Sequence, residues 1–256
     1  MTENLVEMRH ISKSFGAVKA LSDVSLSLPH GSVMGLVGDN AAGKSTLMKI
    51  LAGAIQADQG EILIDGARAR YAHPIGAREA GIEMIYQDFA LVPELTVAQN
   101  IFLGRELTRT IAGIRVLNQK AMNDRARELF GALGLRVPSV TLPVLSLSGG
   151  QQQAVAIARA TGFNARLVIM DEPTANLGTT AIEKVRETIA RLKETGVAVI
   201  IISHRIEDIF AIGDYIMVMK QGHVVGQRDV GGTENAEIVE MMVTGKDPRD
   251  GSGAAA

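Results

Sequence analysis

Residues 33–37 read Val-Met-Gly-Leu-Val, a short apolar run, and the chain continues Gly38, Asp39, Asn40, Ala41, Ala42, Gly43, Lys44, Ser45. A run with no polar alternation behaves as a strand covered on both faces. The small residues after it suit a tight turn, residues 42–51 take up a helical pattern, and Gly53 is placed to close that helix. The segment fits G-x-x-x-x-G-K-[ST], with strand, loop and helix in the order the chemistry requires. Such a loop wraps the β- and γ-phosphates of a nucleotide with backbone N–H groups, and the helix N-terminus adds positive potential. Lys44 is placed to neutralise charge on those oxygens and Ser45 to put its hydroxyl on Mg²⁺. The plainer alternative is a glycine-rich strand–helix turn with an incidental lysine.

The rest of the chain supplies a matching frame. Strands are predicted at residues 60–66, 82–86, 167–170 and 197–202, with an amphipathic helix marked by Ile182, Val185, Ile189 and Leu192 between the last two. Strand–helix–strand alternation implies a parallel α/β core. Between about residues 90 and 160 the pattern becomes helical; Met122, Ala126, Leu129, Phe130 and Leu133 share one face and Gly134 is placed to end it. This middle reads as a helical subdomain inserted into one domain spanning residues 5–230. A C-terminal helix is expected within 231–249. The low-complexity tail 250–256 is expected to be disordered.

Composition narrows the classes. The chain has 256 residues, 46% hydrophobic and 21% charged, which excludes disorder and permits a sizeable core. Cysteine is absent, which excludes disulfides, zinc fingers and thiol nucleophiles. With 28 acidic and 26 basic residues, a general nucleic-acid surface is not indicated. The purest apolar run, residues 197–202, is far shorter than the roughly 18 residues a spanning helix needs. No secretory signal is read at the N-terminus. The expectation is a soluble cytoplasmic protein whose membrane role, if it has one, runs through a partner. His10, His30, His73 and His223 show no metal-site spacing.

A phosphate-binding loop of this kind needs an acidic residue at the end of a buried strand to hold the Mg²⁺ shell. Asp171 ends the apolar run 167–170, and Glu172 follows it. Asp171 alone could equally cap a helix. As a pair, Asp171 suits the metal and Glu172 suits orienting or deprotonating an attacking water. The pairing favours ATP hydrolysis over nucleotide storage.

Leu147-Ser148-Gly149-Gly150-Gln151 lies just before Asp171 and Glu172. The order of residues 38–45, Gln87, residues 148–150, Asp171, Glu172 and His204 resembles the ATP-binding cassette (ABC) transporter ATPases over roughly residues 5–226. The fold implied is a P-loop NTPase α/β core of RecA-like, ABC type, with an inserted α-helical subdomain and an N-terminal antiparallel β portion. By this resemblance ATP and Mg²⁺ are the cofactors. Two cassettes close head-to-tail, each ATP lying between one copy's phosphate loop and the other's Leu-Ser-Gly-Gly loop. Nucleotide contacts are implied for Gly38, Asp39, Asn40, Ala41, Ala42, Gly43, Lys44, Ser45 and Thr46, and, on the opposing copy, for Ser148, Gly149 and Gly150. Gln87 is implied to reach Mg²⁺ and the attacking water, with Ser45 and Asp171 also at the metal. Glu172 and His204 are implied at the γ-phosphate. Phe15 would stack on adenine and Val18 would line the ribose; a Phe15 buried between strands is the alternative.

Residues 38–46, 86–92, 100–106 and 172–175 are similar to the bacterial monosaccharide-importer ATPases that serve ribose, xylose, galactose or fructose uptake. That implies integral membrane permease subunits, a second copy of the cassette, an indirect periplasmic sugar-binding protein, and a peripheral position on the cytoplasmic face of the inner membrane. No nucleic-acid partner is implied. A soluble ABC ATPase acting on DNA or ribosomes is the alternative, and a regulatory module that holds ATP without turnover is a third. The apolar residues around Phe89, Leu91, Val92, Leu95, Val97, Ile101, Phe102 and Leu103 either receive a permease helix or form the subdomain's own core. The excess of Arg105, Arg109, Arg115, Lys120, Arg125 and Arg127 is read as a solvated helix face. Two positions depart from the family pattern. Gly178 stands where a carboxylate usually helps couple the two sites, and Ala41 replaces a frequent glycine, with little effect expected.

Overall fold

The computed structural model describes residues 4–175 and 177–249; the tail expected to be disordered, 250–256, lies outside the described residues. The chain opens with a long antiparallel hairpin, β1 (Asn4–Phe15) and β2 (Val18–Pro29). It then enters β3 (Val33–Val37), whose five residues are all buried, and leaves it through the glycine loop into α1 (Lys44–Leu51). Gly53, at φ +70, ends that helix as expected, its N–H bonded to Ile50 O at 3.0 Å. β4 (Gln59–Ile64) and β5 (Ala67–Ala69) return to the first hairpin, giving an antiparallel sheet ordered β2-β1-β4-β5. A short helix, α2 (Pro74–Glu79), leads to β6 (Ile82–Ile85).

The middle of the chain holds α3 (Val97–Phe102), a two-stranded hairpin of β7 (Thr108–Ile111) and β8 (Ile114–Leu117), α4 (Gln119–Leu133) and α5 (Gly149–Thr161). α3 starts at a reciprocal cap: Gln99 N donates to Thr96 Oγ1 and Thr96 N to Gln99 Oε1. Asn118 caps α4, and Gly134, left-handed at φ +64, ends it where the sequence places it. The hairpin corrects a wholly helical reading of this region. Ala112 and Gly113 both take positive φ, the geometry of a two-residue hairpin turn, between β-branched segments. The signal was present in Thr108, Thr110, Ile111, Ile114 and Val116.

The final part alternates β9 (Leu167–Asp171), α6 (Thr179–Glu194), β10 (Ala198–Ile202), α7 (Ile206–Ile212), β11 (Tyr215–Lys220), β12 (His223–Asp229) and α8 (Asn235–Thr244). The main sheet is ordered β12-β11-β3-β10-β9-β6, parallel except for the antiparallel edge strand β12. Its strands bury both faces alternately. Leu36, Ile169, Ile200 and Ile202 face the core shared with the antiparallel sheet and α1, while Val37, Val168, Met170 and Ile201 face the helices. This explains why the runs are apolar without alternation. A third core, holding Val97, Ile101, Phe102, Met122, Phe130 and Val155, belongs to α3, α4 and α5. Register places Asp171 beside Ile202 and Met170 beside Ile85, so β9, β10 and β6 end together at one edge.

Candidate active site

The phosphate loop leaves β3 at that edge. Gly38 sits at φ +143, and a Cβ there would fall 2.1 Å from Met219 O. Only glycine fits this close approach of two backbones. Gly43, at φ +98, is the N-cap of α1, and a Cβ on it would meet Ala20 O at 2.7 Å. Ala41 is also left-handed, at φ +66. That refines the expectation for this position: alanine is small enough, but it carries a conformational cost of about 1 kcal/mol that glycine would avoid. Lys44 is buried, and its Nζ donates to Gly38 O at 2.7 Å and Asp39 O at 2.9 Å. Burial pulls its ammonium below the ordinary lysine value, while Glu172, Asp171 and Asp39 oppose the shift.

Loop, strand ends and the segment after β10 enclose a cleft of about 430 Å³. Asn40, Ala41, Ala42, Gly43, Lys44, Ser45, Thr46, Gln87, Asp171, Glu172 and His204 all line it, so eleven residues singled out in the sequence converge from separate segments. Asp171 does not cap a helix: the next one, α6, begins eight residues on, with Gly178 as its N-cap. Burial raises the Asp171 carboxyl, with the neighbouring Glu172 charge pushing the same way, against a hydrogen bond from Ser45 and the charges of Lys49 and Lys44. Glu172 holds a left-handed backbone at φ +53, its N–H tied to Ile202 O at 2.9 Å. For a residue with a Cβ this conformation costs about 1–2 kcal/mol and persists only where the surroundings impose it. His204 Nδ1 lies 2.7 Å from Glu172 Oε2. Among the described residues no other group is hydrogen-bonded to that buried carboxylate oxygen.

Other predicted residues stand outside the cleft. Phe15 and Val18 face each other across the turn of the first hairpin, both exposed, with Lys13 Nζ 5.6 Å from the Phe15 ring centre. The alternative of a Phe15 buried between strands is thereby removed. Ser148 is the N-cap of α5, its N–H bonded to Gln151 Oε1 at 2.9 Å, so residues 148–150 begin a helix rather than a linker. Ser148 and Gly149 are exposed, and a Cβ on Gly149 would meet nothing within 4 Å.

Val97, Ile101 and Phe102 belong to the helical core, while Leu103 remains exposed. Arg105 corrects the reading of a solvated basic face: it pairs with Glu83 and lies 4.5 Å from the Phe163 ring centre. Arg125 and Arg127 pair with Glu128 and Asp124 on the surface of α4.

Several positioning residues escaped sequence reasoning. Arg159 of α5 donates to Phe89 O at 2.7 Å and Ala90 O at 2.6 Å, holding two left-handed residues just after Gln87. The buried Gln153, Thr174 and Asp208, with the half-buried Arg186, form a polar group behind Glu172. A buried Gln or Asp within apolar helices was the available signal.

A small-residue loop leaving a buried parallel strand, a lysine folded into it, and two carboxylates at the neighbouring strand end define a P-loop nucleotide-binding protein. The chain belongs to the ABC transporter family, whose sequence profile matches residues 21–175. It is 43% identical over 241 residues to the xylose/arabinose import ATP-binding protein XylG of Sulfolobus acidocaldarius, covering 94% of each chain. It is 46% identical over 238 residues to the ribose import ATP-binding protein RbsA of Chromobacterium violaceum, where it covers 93% of this chain and 47% of that one. The chain thus spans nearly all of the first relative and about half of the second. Among solved structures, the ADP conformation of MJ1267, an ATP-binding cassette of an ABC transporter, matches at TM-score 0.78 and 25% identity over 96% of both chains. The dimeric post-hydrolysis state of the cassette MJ0796, bound to ADP and Pi, matches at TM-score 0.75 and 27% identity, over 89% of this chain and all of that one.

Proposed function

We propose that the chain is the ATP-hydrolysing subunit of an ABC import complex that takes up a monosaccharide. The observation that carries the chemistry is the convergence of residues 40–46, Gln87, Asp171, Glu172 and His204 on one cleft. The transport role rests on the family and on likeness to sugar import subunits.

In this reading the amides of the loop and of the α1 N-terminus receive the phosphates. Lys44 turns from the loop carbonyls to the β- and γ-oxygens. The donor set fits Mg²⁺: the Ser45 hydroxyl bonded to the Asp171 carboxylate, and the Gln87 amide, are hard oxygen ligands. Among the described residues no group of three or more acidic or histidine side chains forms a cage alone. That suits an ion taking one or two carboxylates and completing its shell with water and substrate oxygens. Bound there, the ion would neutralise charge on the β- and γ-phosphates. The Glu172 carboxylate, with Oε2 2.7 Å from His204 Nδ1, is the group suited to accept a proton from the attacking water. His204 is placed to steady that carboxylate and the γ-phosphate.

Ser148, Gly149 and Gly150 lie outside the cleft of their own chain, and we assign them to the nucleotide of a second copy. Phe15 and Val18, exposed at the turn of the first hairpin, are assigned to adenine and ribose. No helix among the described residues is long and apolar enough to cross a membrane. By likeness to the sugar import subunits, the work of transport would be delivered to permease subunits at the cytoplasmic face of the inner membrane, with a periplasmic sugar-binding protein acting only indirectly.

A phosphate-release assay tests the chemistry, with Glu172→Gln as control. Purification from membranes tests the role: a permease in the complex supports it, and nucleic acid or ribosomes in its place would support the other reading.

A further inference from the structure

The segments carrying Glu172 and His204 meet at two places. The outer contact is His204 against Glu172 at the cleft. Behind it, two residues beyond Glu172 and four beyond His204, Thr174 Oγ1 donates to Asp208 Oδ2 at 2.7 Å. Both residues of this inner contact are buried, Thr174 5% and Asp208 2% exposed. Arg186 of α6 donates to the other oxygen, Oδ1, at 2.6 Å, and Arg205 Nε lies 3.4 Å from Oδ2. From the opposite side the buried Gln153 of α5 donates to Pro173 O. The turn after Glu172 is therefore held by α5 through Gln153 and by α7 through Asp208, which Arg186 of α6 holds in turn, and Glu172 is the residue there with a left-handed backbone.

We propose that Asp208 and Thr174 are positioning residues for hydrolysis: their buried hydrogen bond sets the spacing at which Glu172 and His204 face the γ-phosphate. This rests on the ATPase reading above. A buried carboxylate is costly unless its oxygens are engaged, and here both are. An acid merely complementing the start of α7 would gain as much on the solvent side. Asp208 instead points inward, to the one turn that carries the catalytic carboxylate. The contact joins two rigid units, a strand end and a helix start, so loss of one hydroxyl shifts the outer pair relative to each other. Errors of an ångström in such groups cost up to about a hundredfold in rate.

The test compares Thr174→Val, Thr174→Ser and Asp208→Asn with wild type and with Glu172→Gln, measuring kcat and KM for Mg-ATP, nucleotide affinity and Tm. Thr174→Val is expected to lower kcat about tenfold or more, with nucleotide affinity within about twofold. Thr174→Ser, which keeps the hydroxyl, is expected to restore it. Should Asp208→Asn fail to fold, the valine and serine pair carries the test alone. Unchanged kcat in Thr174→Val would overturn the proposal. So would a loss of affinity and Tm in step with kcat that serine does not rescue, since that marks a structural role only. Absence of turnover in wild type would overturn the ATPase reading itself, and this proposal with it. Turnover in wild type but not in Glu172→Gln keeps the two questions apart.

Discussion

Glu172, Lys44 and Asp171 show how differently three adjacent charges are used. Glu172 Oε2 is buried against His204 Nδ1 at 2.7 Å, and in the proposed reading this carboxylate accepts the proton of the attacking water. Glu172→Gln is expected to lower ATP turnover by about 10²–10⁴-fold while leaving ATP binding intact, measured by phosphate release against equilibrium binding. In the proposed reading Lys44 is the cation on the phosphates, and Lys44→Ala is expected to weaken ATP binding by about 10–100-fold in a titration with labelled nucleotide. Asp171 acts in the opposite sense to a stabilising ion pair. Burial raises its carboxyl, so the folded chain holds that proton more tightly than the unfolded one. The contribution of Asp171 to stability is then fully present below the ordinary carboxylate range and is lost as pH rises through the raised folded value. Asp171→Asn is expected to raise the Tm of the nucleotide-free protein at neutral pH, to flatten that acidic slope, and to abolish the further rise that Mg-ATP gives. A Tm below wild type at neutral pH would contradict this.

At the scale of elements, legibility followed burial on both faces. Residues 33–37, 167–170 and 197–202 announced strands because their sheet is covered by α1 and the antiparallel sheet on one side and by helices on the other. α4 and α6 declared themselves by periodicity, and the cleft residues by motif and order. The hairpin at 108–117 was hidden because it buries little and so has no strong alternation to read. The positioning groups were hidden for another reason. Gln153, Arg159 and Asp208 find their partners 20, 69 and 34 residues away, and no local pattern records such pairing. Packing of α7 on β3 offers an element-scale test. A Cβ at Gly35 would fall 2.3–2.9 Å from Ile209 side-chain atoms. Gly35→Ala is therefore expected to displace α7, lower stability by about 1–3 kcal/mol and Tm by about 2–10 °C in a thermal melt. Because α7 follows His204 and carries Asp208, turnover should fall further than stability alone explains.

At the scale of the whole molecule, the cleft of the phosphate loop stands apart from a helix start that it does not use. Residues 148–150 start α5 on the outside, rigidly capped and open to approach. In the proposed head-to-tail pair each chain lends this helix start to the nucleotide of the other, and a single chain is half of each site. Gly178, the N-cap of α6, brings no carboxylate to that junction, leaving the grip of α5 on Pro173 through Gln153 as a direct tie between the helix start and Glu172. The measurement that tests this most directly is complementation between two inactive variants, Lys44→Ala and Ser148→Arg. The first breaks the phosphate loop and keeps the helix start; the second does the reverse. Mixed in equal amounts they are predicted to recover about a quarter of wild-type ATP turnover, because half the pairs are mixed and each holds one intact site of two. A mixture as inactive as its separate components would contradict a site shared between two copies.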